Sequence, residues 1–270
     1  MFSGAISVRR ASRVLLVCGA LPFAVTPARA AADYVAIPSG NLNSVLANDA
    51  DIGPALVPAF AMRTLPVTNS EYLTFVKAHR DWQRGRAPAT FADGTYLHAW
   101  RSPLQLGVSM NTDQPVTNVS WFSAEAYCEH EGGRLPTWLE WEYVAAADEK
   151  VSDARANPLW RARILSWYSQ SSSQPLPSVG GTANIFGVRD MHGLAWEWVD
   201  DFNALLVSAD SRNQGDPDKL QFCGAGAISL KDRDNYAVLM RIALLSSLSA
   251  ASTTNNLGFR CVRPLLAGNK

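Results

Sequence analysis

Between Asp190 and Asp201 the chain reads Asp-Met-His-Gly-Leu-Ala-Trp-Glu-Trp-Val-Asp-Asp, which sets Glu197 between Trp196 and Trp198 in an apolar, glycine-punctuated segment. A carboxylate wedged between indoles loses its hydration, so it must be hydrogen-bonded, protonated or bound to a cation. Any fold open to this chain has to supply that partner. Asp190 and nearby backbone carbonyls offer oxygen ligands for a hard cation, calcium first. More plainly, Glu197 caps a backbone turn between two core tryptophans.

Nine tryptophans, with 18 glycines and 15 prolines in 270 residues, predict a loop-rich single domain rather than a helical bundle. The first thirty residues have the pattern of an export signal: Arg9, Arg10 and Arg13 precede the apolar run Val14 to Ala20, and Ala28-Arg29-Ala30 offers small residues for cleavage. The pair Arg9-Arg10 suits either the Sec or the twin-arginine route. The run is shorter than the about 20 residues that span a bilayer, and no later segment is long and apolar enough. These features predict a signal over residues 1–30, a domain over 31–270, and a periplasmic or secreted location. Losing Arg9, Arg10, Arg13 and Arg29 from 24 basic residues leaves 20 against 24 acidic ones, which argues against nucleic-acid binding. Cys18 leaves with the signal, so Cys128, Cys223 and Cys261 remain in an oxidising compartment; an odd count leaves one unpaired, and spacing alone does not say which pair forms.

Residues 33–60 alternate apolar and small polar positions with Pro and Gly, as short strands and turns do. Thr68-Asn69-Ser70-Glu71 has capping-box spacing and predicts a helix with Tyr72, Phe75 and Val76 on one face. A second helix is predicted from Ser120 or Ser123, burying Ala124, Tyr127 and Cys128 and ending at Gly132-Gly133. A third opens at Thr137-Trp138-Leu139-Glu140, again a capping box, and runs to Ala145-Ala146-Ala147. Residues 80–114 are aromatic but aperiodic and predict a long packed loop, and residues 169–182 an irregular connection. Short apolar runs do not separate strand from helix, but strands are favoured for Tyr236 to Leu248 and after the polar turn Ser252 to Asn256.

Five segments occur in a familiar order: Leu65 to Tyr72, Pro115 to Trp121 with Tyr127-Cys128, Gly133 to Tyr143, Gly193 to Trp198, and Asn256-Leu257-Gly258-Phe259-Arg260-Cys261. In combination they resemble the formylglycine-generating enzyme, or sulfatase-modifying factor, family over most of residues 31–270. The resemblance implies an irregular α+β fold of C-type-lectin kind, a disulfide between Cys128 and Cys261, and a structural calcium held by Asp190, Gly193, Ala195 and Glu197. Asp190 stands where the family often has Asn, and a second carboxylate strengthens attraction for calcium.

The same resemblance implies copper chemistry that this chain is not built for. The family enzymes oxidise a substrate cysteine with Cu(I) held by two cysteines, and those positions fall on Ala237 and Ile242, which offer no lone pair. Iron-dependent relatives that form sulfoxides in thiohistidine biosynthesis need a histidine cluster. Here only His79, His98, His130 and His192 occur, none paired at ligand spacing on a predicted helix. Cys223, beside Gly224 and Gly226, is either an inert buried thiol or one facing the family's substrate groove. Lys231 to Asp234 reads as a solvated turn, while Arg241, between Met240 and Ile242, has to reach a carboxylate or line the groove. Cys223, His192 and Arg241 are the candidate catalytic residues.

Relatives of this kind are associated with nitrite reductase gene clusters and pyoverdine maturation. The resemblance therefore points to an accessory or maturation factor for a periplasmic protein or peptide client, lacking family oxidase activity. Two alternatives are an oxidoreductase using a cofactor other than two-cysteine copper, and a lectin-like ligand-binding module.

Overall fold

The computed structural model describes Met1 and residues 33–44, 53–168, 175–205 and 236–265. The chain divides into a leading unit, Met1–Ala31, and a second unit, Ala32–Lys270, which alone is described below. In chain order its elements are Tyr34–Ile37 (β1), Gly40–Leu42 (β2), Ala55–Val57 (β3), Phe60–Arg63 (β4), Asn69–Ala78 (α1), a 3-10 turn Arg80–Trp82, Trp121–His130 (α2), Trp138–Ala145 (α3), Pro158–Tyr168 (α4), Trp196–Glu197 (β5), a 3-10 turn Phe202–Ala204, Tyr236–Ser246 (α5), Leu257–Gly258 (β6) and Val262–Pro264 (β7). This is an α+β fold with short strands and long connections.

Three antiparallel strands in the order β1-β4-β7 join the two ends of the unit, with Tyr34 opposite Arg63 and Met62 opposite Val262. A hairpin pairs β2 with β3, and β5 runs parallel to β6 with Glu197 opposite Gly258. A methyl group on Gly258 would stand 2.5 Å from the Val116 carbonyl oxygen, so only glycine admits this close crossing.

The first three predicted helices form where their caps place them. Thr68 accepts from the Glu71 amide while Glu71 reaches back to the Thr68 amide, and Thr137 with Glu140 repeats the arrangement. Ser120 accepts from the Ser123 amide at the start of α2. That helix ends at Gly132, whose φ of +78° is the left-handed conformation such ends require. Residues 83–120 carry no helix or strand but are packed inward, with Trp100 and Leu97 buried.

Two elements differ from expectation. Tyr236–Ser246 is a helix, not strands: Val238, Arg241, Ile242 and Leu245 are buried at the i, i+3, i+4, i+7 spacing of one helical face. The run was long enough for three turns, and that period outweighs the local apolar density. Pro158–Tyr168 is a helix for which no element was expected. Asn157 accepts from the Leu159 amide at 3.0 Å and Pro158 takes the first helical position, where a missing N–H costs nothing.

One core gathers Tyr72, Phe75, Trp100, Tyr127, Trp138, Trp141, Trp198 and Phe259, and the disulfide Cys128–Cys261 passes through it with a Cα–Cα distance of 5.4 Å. At its margin Arg63, 3% exposed, pairs with Glu71 and with Glu131 at 2.8 Å, and Tyr34 donates to Glu131 at 3.1 Å. These bonds attach the strands to α1 and α2.

Candidate functional site

The backbone of β5 sets Glu197 at the centre of the molecule. Trp198 points into the core and donates its indole N–H to the Val119 carbonyl at 3.0 Å, whereas Trp196 is half-buried against Trp167 and Tyr168 of α4. Glu197 between them is fully buried. Its carboxylate accepts from Arg260, with Nε at 3.0 and 2.9 Å from the two oxygens and Nη2 at 2.7 Å from Oε1. The Trp141 indole adds a fourth bond to Oε2 at 2.7 Å. Arg260 itself donates further to the Arg189 carbonyl at 3.0 Å. Both partners lie out of water, and the geometry that a buried pair needs is present: two-pronged contact with the remaining lone pairs met by other donors.

Arg241 arrives on the other side from α5, 1% exposed. It does not reach the carboxylate; its Nη2 donates to the Glu197 backbone carbonyl. The guanidinium lies on the Trp141 ring, 3.5 Å from the centroid, with Trp138 at 5.9 Å. Burial pushes Arg241 down to about 10, opposed by Glu197, and its Nε has no partner among the described residues.

Of the four residues implied for calcium, the two carboxylates already have donors from the protein. Asp190 has φ +59°, and its carboxylate accepts from the Gly180 amide at 2.7 Å and the Gly181 amide at 2.9 Å. Gly193 follows at φ +92° and Ala195 is buried. A calcium ion on Glu197 would meet the Arg260 guanidinium at the same two oxygens, and one on Asp190 would compete with two amides. As arranged, the donor set does not fit the ion: the positive charge next to Glu197 is already supplied by a side chain.

The family's copper positions both lie on α5. Ile242, 4% exposed, packs into the core, and Ala237 belongs to the first turn of the helix. An aliphatic pair does not fit Cu(I), which needs soft sulfur ligands. Cys223 and the run Lys231 to Asp234 lie outside the described residues.

His192 sits beneath α4 with its ring edge-on to Trp141 and Trp160, at 5.7 and 5.6 Å between centroids. Nε2 lies 2.9 Å from the Ala145 carbonyl oxygen, so this nitrogen carries the proton, and Nδ1 is buried without a partner among the described residues. Burial, reinforced by the charges of Arg241, Arg163 and Arg260, pushes the imidazole down to about 4. It is neutral at pH 7, an acceptor rather than a proton shuttle. It lines a cleft of about 370 Å³ together with Trp160, Arg163, Asn184 and Asp190.

Two other histidines that are unrelated in sequence spacing meet in space: Nε2 of His79 lies 3.0 Å from Nδ1 of His130. His98 donates from Nδ1 to the Thr95 carbonyl at 3.1 Å, within its own turn. Arg260 as partner of Glu197, and the indoles of α4, were missed from the sequence. The signal for Arg260 was a lone cation in the otherwise apolar Leu257 to Val262.

Comparison with known proteins agrees with this architecture. Residues 22–265 match the model of the sulfatase-modifying factor enzyme 1-like domain. The chain is 30% identical to the hercynine oxygenase of Mycobacterium tuberculosis over 160 residues, covering 53% of this chain and 38% of that one. It is 30% identical to the formylglycine-generating enzyme of Streptomyces coelicolor over 183 residues, covering 60% and 57%. It is 29% identical to the inactive C-alpha-formylglycine-generating enzyme 2 of Bos taurus over 181 residues, covering 60% and 55%. The chain thus spans less than two thirds of the length of each of these relatives. With the family model matched over nearly all of the second unit, the chain belongs to the sulfatase-modifying factor family.

Proposed function

We propose that this protein is an exported, catalytically divergent member of its family that serves as an accessory or maturation factor, binding a periplasmic protein or peptide client. One observation carries the proposal. On α5, at a position where the resemblance calls for a copper-binding cysteine, Ile242 is buried in the core, and Arg241 beside it is spent on Trp141 and the Glu197 carbonyl. Neither group cycles electrons, and two-thiolate copper oxidation of a bound cysteine has no ligands here. The likeness to a relative named as inactive is in keeping with that reading. Export is supported by the arginine-led apolar segment at the start of the chain and by the Cys128–Cys261 disulfide, a bond that persists in oxidising compartments. No helix among the described residues is long and apolar enough to cross a membrane.

Oxygen uptake tests the proposal directly. Purified protein supplied with Cu(I) and a cysteine-containing peptide is expected to consume oxygen no faster than copper and peptide alone. Sustained uptake that is lost in Cys223→Ser would overturn it.

A second reading, an oxidoreductase with a different cofactor, draws on the His192 Nδ1 lone pair at the cleft and on the likeness to hercynine oxygenases. Iron or copper found at one equivalent in protein purified from its native host, and reduced in His192→Gln, favours this alternative.

A further inference from the structure

We infer that His79 and His130 form a surface site for a divalent transition-metal ion of the imidazole-preferring kind, Cu²⁺ or Ni²⁺. The two residues stand at the C-terminal ends of neighbouring helices: His79 caps α1 and His130 is the last residue of α2. Their nearest ring nitrogens are 3.0 Å apart, with the rings at 76° and their centroids separated by 4.6 Å. Phe75 lies against both, 4.6 Å from the His79 ring and 5.6 Å from the His130 ring. An apolar ring thus orients two imidazoles toward each other at the surface.

The separation lets a single ion bridge the two rings. With N–metal bonds of about 2.05 Å, adjacent corners of a square-planar or tetragonal ion put two nitrogens about 2.9 Å apart, and a tetrahedral ion puts them about 3.4 Å apart. The observed 3.0 Å is close to the first. Without an ion, one imidazole N–H donates to the lone pair of the other. To bind, the donating ring moves its proton to its other nitrogen through water, which frees a second lone pair with no net change of protons or electrons. The helix ends add attraction for a cation, since their last carbonyls carry partial negative charge.

The two ligands are placed in advance. Cys128, just before His130, is tied to Cys261, and Phe75 and Val76 anchor the end of α1 in the core. Among the described residues no group of three or more His, Cys, Asp or Glu side chains forms a metal cage, so the pair would supply two ligands and solvent the remaining ones. Such a site clips α1 to α2.

Calorimetric titration of the full chain with NiCl₂ is expected to show binding that His79→Gln and His130→Gln each weaken by more than the roughly tenfold that follows loss of an outer partner. Ni²⁺ should raise the melting temperature of the parent protein and leave both variants unmoved, because only binding to the folded state stabilises. Absence of binding, or parental affinity in both variants, overturns the inference. Should either variant fold poorly, the electron paramagnetic resonance spectrum of the Cu²⁺-loaded parent decides: coupling to two nitrogens supports the site, and an oxygen-only spectrum overturns it.

Discussion

A carboxylate that has left water behaves according to what replaces the water. For Glu197 the replacements are a guanidinium in two-pronged contact and an indole N–H. Removing one partner of a buried ion pair strands the other, which costs about 3 to 5 kcal/mol. Glu197→Gln should therefore lower the unfolding free energy measured by urea titration by an amount in that range, with a lower midpoint, and Arg260→Lys should be milder because the charge survives. The same midpoint should be found in excess calcium and in chelator, for the parent as for the variant. A calcium-dependent midpoint in the parent would mean that the ion, rather than Arg260, neutralises the site. Arg241 contributes in a different manner: its charge rests on an aromatic face and a carbonyl, so its role is to pack and cross-link.

Elements in this chain are held by their ends as much as by their faces. Both capping boxes form, and in α3 the Thr137 hydroxyl meets the Glu140 amide at 3.3 Å while Arg134 grips the same glutamate at 2.6 Å. Thr137→Ala should cost about 1 kcal/mol in denaturant unfolding, the usual value of a lost N-cap. These starts were legible because a cap is a local contract between residues three apart. The α5 face was legible in principle, since Val238, Arg241, Ile242 and Leu245 keep the helical period, but an arginine in that series disguised it. The 3-10 turns and the packed run 83–120 have no period to read; they are fixed by what they touch. The meeting of His79 with His130 and of Glu197 with Arg260 is tertiary, joining residues 51 and 63 apart in sequence, and no local pattern pairs them. The Asp190 segment was recognisable as a place where charge is buried, but the partner of Glu197 lay between β6 and β7, 63 residues away in sequence.

At the scale of the molecule, two separated stretches make a single sheet. The Arg63 amide donates to the Cys261 carbonyl and the Val67 amide to the Phe259 carbonyl, both at 3.0 Å, and the disulfide closes a span of 133 residues. A loop of that length is worth about 5 kcal/mol of chain entropy, against a net stability of only about 5 to 15 kcal/mol for most domains. Reducing Cys128–Cys261 should thus shift most of the unfolding transition to lower denaturant or abolish it. A transition unchanged by reductant would show that the core alone suffices. Arg260, Cys261 and Val262 supply, within three consecutive residues, the counter-ion of Glu197, half of the disulfide and a strand against β4. During synthesis, then, the ribosome has to reach this short stretch before the interior can shut: a chain interrupted earlier keeps a stranded acid and an open seam.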